Sequence, residues 1–492
     1  MTKFLLLLLR MMLWRRHRLS SPPYTRLLAC LLLLLQLPPL SRAATVVTRL
    51  PGFPGPLPFY LETGYVGVGE EEAGAELFYY FVESERSPGT DPVLVWLTGG
   101  PRCSAFSGLA YEIGPINFVL QPYDGTLPRL VYSPDSWTRV ASIIFLDSPV
   151  GSGFSYARDP RGYDVGDVSS SRQVVEFLRK WFDAHPCLQS NPFYVAGDSY
   201  AGMVVPVIAQ YISEGNEGMH HPLINLKGYI VGNPVTGDKV DTNSRIPYAH
   251  SHGIISDQQY EAAVANCNGD YVSPTNKLCA DVLQTIQNLM SEVDHKDILG
   301  PKCPLDSPNP RRDALERKSL AEEHYYRISD PPAEPSFRCF EYRYYLSYFW
   351  ANDNATRAAL GVKEGTVKEW VRCQRSGFPY TYDIPSSIKY HFNLTTRGYR
   401  ALVYSGDHDL SIPFSGTHAW IRSFNFSIVD DWRAWHLDGQ AAGLSHLLNP
   451  LNSTVLALLL SQSTCGAIIF HSYFQGWNTC SLLCSFLCCI FA

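Results

Sequence analysis

The sequence predicts an α/β fold whose sheet is mostly parallel, and three observations carry that prediction. Residues 93–97 and 143–147 form short, nearly continuous apolar runs, as expected for strands that are covered on both faces. A third run, 193–195, is aromatic and β-branched, which also suits a buried strand. Apolar residues at helical spacing flank this third run at 169–185 and 204–211. Strands and helices therefore alternate, as they do around a central parallel sheet.

The first 44 residues have the composition of a secretory signal. Arginines cluster within the first 26 residues, a leucine-rich run follows at 27–37, and Ser-Arg-Ala-Ala follows at 41–44. We predict that residues 1–44 direct the chain into the secretory pathway, to the extracellular space or the vacuole. The alternative is an N-terminal membrane anchor. Because the apolar run is shorter than the ~20 residues of a spanning helix, we expect no stable membrane span.

The remaining composition fits an exported globular protein. The chain of 492 residues is 46% hydrophobic, which allows a large core, and its net charge of -6 gives no reason to expect a nucleic-acid partner. Its 13 cysteines are numerous enough for disulfides in an oxidising compartment. Four N-x-[ST] sequons predict glycosylation at Asn354, Asn393, Asn425 and Asn452.

Residues 191–202, NPFYVAGDSYAG, place a serine at the junction of a predicted strand and a predicted helix. A serine on such a sharp turn has its hydroxyl above the sheet and its amide near a helix N-terminus, which is a nucleophile elbow. Ser199 is therefore a candidate nucleophile, although Ala201 stands where the G-x-S-x-G motif has its second glycine. On this motif alone, an ordinary loop serine is an equally good interpretation.

A glycine-rich turn, TGGPRCS at residues 98–104, directly follows the strand predicted at 93–97. Backbone N–H groups in such a turn can point at an oxyanion, which is the second component that an elbow serine needs. A purely structural turn is the alternative. Together, the turn and the elbow predict acyl chemistry at a serine.

Six longer motifs run along the chain: LPGFPGPLPFYLETGYVGV at 50–68, VLVWLTGGPRCSAFSGLAYEIGP at 93–115, FLDSPVGSGFSY at 145–156, GDSYAGM at 197–203, VGNPVTG at 231–237 and YSGDHDLSIPFSGTHAWI at 404–421. In sequence and in order they resemble the serine carboxypeptidase family, and in particular its plant serine carboxypeptidase-like members. The resemblance ends at Gly443. It implies an α/β-hydrolase fold with a helical insertion over the active site, and a reaction that uses no cofactor and no metal.

The resemblance also implies a division of the chain. An α/β-hydrolase core is expected at 45–237 and 386–443, interrupted by an insertion or cap at 238–385, where charged helical stretches replace strand-like runs. Within the insertion, residues 304–335 are rich in Pro, Arg and Glu, and we interpret them as an exposed linker. Residues 444–492 form an atypical C-terminal tail, in which we do not recognise the family's last strand, its histidine turn or its final helix.

The family's cysteine pairing, carried onto this sequence, implies three disulfides: Cys103 with Cys373, Cys267 with Cys279, and Cys303 with Cys339. The number of cysteines alone leaves their connectivity open. Cys187 has no partner in this scheme, and we expect it to be a buried thiol.

Catalytic roles around Ser199 also follow from the resemblance. The backbone amides of Gly100 and Tyr200 would stabilise the oxyanion that forms when Ser199 attacks a carbonyl. In α/β-hydrolases the acid follows the nucleophile along the chain, and Asp409 matches the family's acid. It comes after the strand-like run 401–404, so we expect it at the carboxyl edge of the sheet.

Two substrate-binding positions distinguish subgroups of the family. Its peptidases have Asn in place of Thr98 and Glu in place of Asp198, and that pair binds the terminal carboxylate of a peptide. The shorter Asp198 would move its carboxyl group by ~1 Å or more, enough to disrupt this contact. Both residues, with the YEIGP run at 111–115, resemble the acyltransferase members, which move acyl groups from glucose esters to alcohols or amines. We therefore expect a small-molecule acyl donor and acceptor, with peptide hydrolysis as the alternative.

One departure from the family pattern lies in the oxyanion turn itself. Arg102 stands where the family has a glycine. A side chain that is forced to positive φ costs ~1 to 2 kcal/mol, so the sequence predicts a strained turn.

A second departure concerns the base. Four histidines follow Asp409: His418, His436, His446 and His471. Only His471 comes after a strand-like run, at 467–470, and it is the candidate base, but the family's Gly-Gly-Gly-His turn is missing. This absence favours the alternative of a catalytically inactive secreted homologue without the triad histidine. A lipid-anchor signal at the cysteine-rich end is a third interpretation, disfavoured because no clear polar spacer precedes it.

Overall fold

A twelve-stranded sheet organises the fold in the computed structural model, which describes residues 44–303, 339–374, 377–437, 440–449 and 456–461. The strands are β1 Thr45–Val46, β2 Leu61–Val68, β3 Ala75–Val82, β4 Val93–Leu97, β5 Ile116–Phe118, β6 Leu130–Tyr132, β7 Ser142–Leu146, β8 Tyr156–Ala157, β9 Val165–Gly166, β10 Phe193–Asp198, β11 Leu226–Gly232, β12 Tyr380–Thr381, β13 Arg400–Gly406, β14 Ser427–Leu437, β15 Gln440–Asn449 and β16 Leu456–Ser461. The large sheet has the order β1-β2-β3-β7-β4-β10-β11-β13-β16-β15-β14, with β8 paired to β3. Strands β9 and β12, and β5 and β6, form two separate pairs.

Helices lie between these strands. They are α1 Asp167–Ala184, α2 Ala201–Glu217, α3 Lys239–Asn243, α4 Arg245–Ser251, α5 Asp257–Cys267, α6 Lys277–Met290, α7 Tyr342–Asn352, α8 Asn354–Ala359, α9 Ile388–Thr396 and α10 Phe414–Ser423, with short helical turns at Gly108–Glu112, Trp137–Arg139, Pro160–Tyr163 and Pro186–Leu188. No helix in the part of the chain that the structure describes is both long enough and apolar enough to cross a membrane.

The central strands are parallel and buried, which confirms the predicted α/β fold. Strand β4 pairs in parallel with β7 and β10, and every residue of these three strands is buried. Because successive side chains alternate between faces, Trp96 packs in one apolar core and Val95 in the other. Helices α1 and α2 cover the face on which Val95 lies, since α1 contributes Trp181 and α2 contributes Ile208 to that core.

Four parallel strands direct the site residues to one edge of the sheet. Strands β4, β10, β11 and β13 are neighbours in parallel register. The carboxyl ends of parallel strands meet at one edge, which is where ligands bind in open α/β sheets. The turn at 98–102, Ser199, Asn233 and Asp409 each follow one of these four strands. The topology therefore brings four separate stretches of sequence to the same edge.

The described chain between β11 and β12 is helical. Helices α4, α5 and α6 surround a small apolar core that includes Tyr248 and Met290 and that also receives Leu410 from the loop after β13. The described residues from Thr45 onward belong to one compact unit. The boundaries proposed for the core, the insertion at 238–385 and the linker at 304–335 remain proposals, and the whole of that linker lies outside the described residues.

The sheet continues beyond Gly443, which corrects the prediction that the C-terminal tail contributes no strand. Strand β15 extends to Asn449, and β16 pairs in parallel with β13 and antiparallel with β15. The reason lies in the sequence of β16, LALLLS, which is a continuous apolar run of the kind that suits a strand between two neighbours. The C-terminal tail therefore supplies a strand beside β13.

Candidate active site

Ser199 lies on a sharp turn between β10 and α2 and has the left-handed backbone expected of a nucleophile elbow, with φ 54°. Such a conformation costs a serine ~1 to 2 kcal/mol. Backbone hydrogen bonds hold it in place: its amide donates to the carbonyl of Gly232 at 2.9 Å, and its carbonyl accepts from the amide of Val235 at 3.0 Å. The strained conformation is thus fixed by the end of the neighbouring strand, β11.

Small residues around Ser199 make this turn sterically feasible. A Cβ atom on Gly197 would lie 2.5 Å from the carbonyl oxygen of Leu97, and one on Gly202 would lie 2.5 Å from Cβ of Pro234. Ala201 is buried without a comparable conflict in the second-glycine position of the motif. The elbow therefore tolerates alanine at this position but requires glycine on either side of it.

The glycine-rich turn after β4 packs directly against the elbow. A Cβ atom on Gly99 would lie 2.7 Å from Cβ of Ser199 and 2.9 Å from the amide nitrogen of Tyr200. Gly100 has φ 134°, a conformation that other residues rarely adopt. This contact is consistent with the proposed oxyanion site between the amides of Gly100 and Tyr200, which remains a proposal.

Asp409, the proposed acid, is buried and held in a defined orientation. Its Oδ2 accepts a hydrogen bond from the side-chain amide of Asn233 at 2.7 Å, and its Oδ1 accepts from the amides of Ser411 at 2.6 Å and Ile412 at 3.1 Å. The side chain is 1% exposed. Donors of this kind stabilise the ionised carboxylate, which is the form that can orient a histidine.

Asn233 is a site residue that the sequence analysis missed. It follows β11 with φ 40°, its amide donates to the carbonyl of Tyr404 at 2.8 Å, and its Oδ1 accepts from the amide of Gly406 at 3.3 Å. Asn233 thereby fixes the end of β13 as well as the carboxylate of Asp409. The VGNP sequence at 231–234, with asparagine directly after a strand, was the available signal.

No histidine among the residues that the structure describes forms a hydrogen bond with the Ser199 hydroxyl. His408, next to Asp409 in sequence, has its ring near two other carboxylates, 3.7 Å from Asp297 and 3.6 Å from Asp407. His418 lies on α10 and His436 and His446 on β14 and β15. His471 lies outside the described residues, so its proposed role as the base remains a sequence-based proposal.

A pair of largely buried carboxyl groups, Asp198 and Glu112, lies beside Ser199. Asp198 accepts a hydrogen bond from the amide of Gly99 at 3.2 Å, and burial raises its pKa to about 7. Burial also raises the pKa of Glu112 well above its usual value, and the nearby charge of Asp198 raises it further, while Arg372 opposes both effects. Below neutral pH Asp198 therefore carries a proton that it can donate in a hydrogen bond.

Glu112 is the second site residue that the sequence analysis did not assign. It ends the helical turn Gly108–Glu112, and its carboxylate accepts a hydrogen bond from the indole of Trp96 on β4 at 3.3 Å. Thr98, at the end of the same strand, is 8% exposed, and its hydroxyl has no hydrogen-bond partner among the described residues. An unpaired buried hydroxyl of this kind is available to a substrate or to water.

The raised pKa of Asp198 predicts a dependence of stability on pH. A carboxyl group whose pKa is higher in the folded state favours folding most below its unfolded pKa, near 4, and this contribution is lost as the pH rises through about 7. We expect the Asp198→Asn variant, which is neutral at every pH, to lose less stability than the wild type between pH 4.5 and pH 7.5, by on the order of 2 kcal/mol. Urea unfolding at the two pH values measures this difference.

The control for this prediction is Asp183→Asn, which removes an exposed carboxylate from the end of α1. Its pH dependence should match that of the wild type. Equal losses in the wild type and in Asp198→Asn would contradict the assignment of this pH dependence to Asp198.

Arg102 adopts the positive φ that the sequence predicted, 68°. Its side chain is buried, and its guanidinium donates from Nη2 to the carbonyls of Tyr163 at 2.7 Å and Pro379 at 2.8 Å. The guanidinium carbon also lies 5.4 Å from the centre of the Phe378 ring. These contacts offset the backbone strain and join the oxyanion turn to two other loops.

The structure contains the three disulfides that the resemblance implied: Cys103–Cys373, Cys267–Cys279 and Cys303–Cys339. The prediction for Cys187 was wrong, because this free cysteine is exposed. It lies in the short turn Pro186–Leu188, where Leu188 rather than Cys187 points into the core.

Three predicted glycosylation sites lie on the surface: Asn354, Asn393 and Asn425 are exposed. Asn452 lies outside the described residues. Glycosylation at these positions remains a proposal.

The site combines a serine on a strained strand-to-helix turn with a glycine-rich turn and an acid at the same edge of a parallel sheet. This combination defines an α/β-hydrolase with a serine nucleophile. Comparison with known proteins narrows this class. The sequence pattern of the family described as "Serine carboxypeptidase" matches residues 51–456. The match extends past Gly443, which corrects the expectation that the resemblance ends there. The chain belongs to the serine carboxypeptidase family.

Relatives and solved structures agree with this assignment. Serine carboxypeptidase-like 19 of Arabidopsis thaliana is 48% identical over 409 residues, covering 82% of this chain and 86% of its own. Serine carboxypeptidase-like 3 of the same species is 48% identical over 403 residues, covering 82% and 84%. The crystal structure of Kex1, a prohormone-processing carboxypeptidase from Saccharomyces cerevisiae, superposes with a TM-score of 0.63 at 18% identity, covering 87% of this chain and 92% of Kex1. The likeness to Kex1 shows the shared fold.

Proposed function

We propose that this protein is an acyltransferase of the serine carboxypeptidase family, which takes an acyl group from a glucose ester and passes it to an alcohol or an amine in secondary metabolism. The observation that carries the proposal is the arrangement of Asp198. Its short side chain accepts a hydrogen bond from the amide of Gly99. The carboxyl group is thereby held against the oxyanion turn, and Thr98 offers a single hydroxyl where a peptidase of the family has an amide side chain.

The proposed reaction runs through an acyl-enzyme. The Ser199 hydroxyl oxygen attacks the ester carbonyl and loses its proton to a base, and the negative oxygen is stabilised by the amides of Gly100 and Tyr200. The ester bond then breaks, and glucose leaves with a proton. The hydroxyl or amine of the acceptor attacks the acyl-enzyme in the same way, which releases the product and restores Ser199. Asp409 would orient the base, for which His471 is the sequence-based candidate.

A specific observation favours carboxypeptidase activity as the second candidate. Because burial raises the pKa values of both Asp198 and Glu112, both groups are protonated at acidic pH and could donate hydrogen bonds to the carboxylate of a peptide. Such binding would weaken as the pH approaches 7. In either case we propose that the protein acts outside the cell or in the vacuole, on small molecules or peptides.

A competition assay tests the proposal. The purified chain is offered a blocked dipeptide and a glucose ester of a hydroxycinnamic acid with an alcohol acceptor, and a version whose C-terminus carries the family's histidine turn is assayed beside it. We expect acyl transfer to exceed release of the C-terminal amino acid, and Ser199→Ala to abolish both. Faster amino-acid release would establish the peptidase, and no adduct at Ser199 with either substrate would establish an inactive homologue.

The selectivity between acyl transfer and peptide hydrolysis should shift toward hydrolysis when Thr98 and Asp198 are replaced by the residues of the family's peptidases. We expect the double variant Thr98→Asn/Asp198→Glu to raise the ratio of peptide hydrolysis to acyl transfer about 10-fold, since a change of ~1.4 kcal/mol in relative barrier has this effect. The measurement is kcat/KM for both substrates in the version with the family's C-terminus. A matched control, Asp183→Glu, lengthens an exposed carboxylate by the same methylene and should leave the ratio unchanged. An unchanged ratio in the double variant would show that these two residues do not select the substrate.

A further inference from the structure

A small cavity lies behind the oxyanion turn. Its volume is about 20 Å³, which is room for one occupant of the size of a water molecule. The wall is formed by the turn after β4 and by the first turns of α1 and α2, and it includes Thr98, Arg102, Ser170 and Ala201. Ser199 does not line it. Thr98 and Tyr200, which are proposed for the substrate and oxyanion sites, also line the cavity, so it shares part of its wall with the active site.

Arg102 brings a buried positive charge to this cavity. Its side chain is 2% exposed, and its Nε has no hydrogen-bond partner among the residues that the structure describes. The two groups bound to Nη2 are neutral carbonyls, and the charge of Asp164 reaches the guanidinium without a hydrogen bond. The rings of Phe378 and Tyr380 also face the guanidinium, with their centres 5.4 and 5.7 Å from its carbon. These partners are all neutral apart from the more distant Asp164, so an anion at Nε would pair a buried charge that is otherwise costly.

The rest of the wall is also suited to an anion. The Thr98 hydroxyl is buried and unpaired among the described residues, so it can donate a hydrogen bond into the cavity. Ala201 is the first residue of α2, so the positive end of this helix is directed toward this region. The N-terminus of α1 already has carboxylate partners, since Asp167 lies in its first turn and the amide of Val168 donates to Oδ1 of Asp383 at 3.0 Å. Asp167, the carboxylate at the start of α1, does not line the cavity and accepts hydrogen bonds from the hydroxyls of Tyr200 at 2.6 Å and Tyr380 at 2.9 Å.

We propose that this cavity binds a single chloride-sized anion, held by the Nε–H group of Arg102, the Thr98 hydroxyl and the N-terminal turn of α2. A halide ion is one atom of roughly the size of water, which matches a cavity of about 20 Å³. The anion neutralises Arg102 and so holds this residue, at its positive φ, in the oxyanion turn. The site thus links halide binding to the geometry of the turn beside Ser199.

Halide titration of the folded protein tests the site without reference to catalysis. Thermal unfolding of the full chain is followed as chloride replaces gluconate at constant ionic strength. A ligand that binds only the folded state raises the midpoint with its concentration, so we expect a chloride-dependent rise in the wild type. In Arg102→Met, which keeps much of the side-chain volume and loses the charge, we expect the apparent chloride affinity to fall at least tenfold. In Arg161→Met, which removes an exposed arginine, the chloride response should be retained.

Two further measurements keep the proposal testable if Arg102→Met does not fold. Thr98→Val removes one donor at nearly constant shape and should also weaken chloride binding severalfold. Crystals grown in bromide should show anomalous scattering from one atom between Arg102 and Thr98. The same chloride response in the wild type and in Arg102→Met, or a water molecule in the cavity of bromide-grown crystals, would overturn the proposal.

Discussion

A fluorophosphonate probe should label Ser199 of this chain on the order of 10³-fold more slowly than it labels a relative with the complete triad. The probe reports how strongly the serine is activated, and a serine without a base is a weak nucleophile. When a member of such a triad is lost, binding and the oxyanion site alone provide the remaining rate. The family's Gly-Gly-Gly-His turn is missing from the sequence, and no described histidine forms a hydrogen bond with the Ser199 hydroxyl. The reference is a relative whose sequence carries the family's Gly-Gly-Gly-His turn.

Controls separate slow labelling from misfolding. Ser199→Ala should eliminate the residual labelling, and far-ultraviolet circular dichroism should show that both proteins are folded. Rapid labelling of the wild type would contradict the prediction. If His471→Ala then abolished this labelling and His446→Ala did not, His471 would be the base and the proposed triad would be Ser199, Asp409 and His471.

The parts of this site that could be predicted from sequence are those that depend on local chain geometry. The elbow at Ser199 combines a strand, a turn and a helix within twelve residues, and small residues make such a turn recognisable. The positive φ of Arg102 was likewise predictable, because the position is a glycine in the family. Asp409 was assigned from the resemblance, because it matches the family's acid, and its chain order and the strand before it agree with that assignment.

The parts that could not be predicted depend on contacts between distant segments. Asn233 reaches Asp409 only because β11 and β13 are neighbours in the sheet. Glu112 and Asp198 are both largely buried, and the charge of Asp198 raises the pKa of Glu112. No local sequence pattern shows that these two carboxyl groups lie close together. The cavity at Arg102 has the same origin, since its wall combines the oxyanion turn with two separate helices.

The C-terminal strand shows a different limitation. The mismatch between residues 444–492 and the family's sequence predicts that the last strand is missing, and that prediction is wrong. A strand between two neighbours requires mainly a continuous apolar run, so β16 can form with a sequence unlike that of the relatives. Backbone pairing therefore places fewer requirements on the sequence than a histidine turn does, because such a turn needs particular residues at particular positions.

Removal of the Cys103–Cys373 disulfide should cost about 5 kcal/mol of unfolding free energy, whereas removal of Cys267–Cys279 should cost about 3 kcal/mol. The two bonds close loops of very different length, with sequence separations of 270 and 12. In the chain-entropy account, the longer loop restricts the unfolded chain more, but only as the logarithm of its length. The double variants Cys103→Ser/Cys373→Ser and Cys267→Ser/Cys279→Ser, compared by urea unfolding, measure the difference.

The Cys103–Cys373 variant should also affect the active site, because this disulfide anchors the end of the oxyanion turn. Backbone hydrogen bonds reinforce the anchor: the amide of Ser104 donates to the carbonyl of Arg372 at 2.6 Å, and the amide of Gln374 donates to that of Arg102 at 2.9 Å. We therefore expect slower labelling of Ser199 in this variant and unchanged labelling in the Cys267–Cys279 variant, whose bond lies between α5 and α6. Equal losses of stability in both variants would show that loop entropy does not determine their effect, and unchanged labelling in the first would show that backbone pairing alone holds the turn.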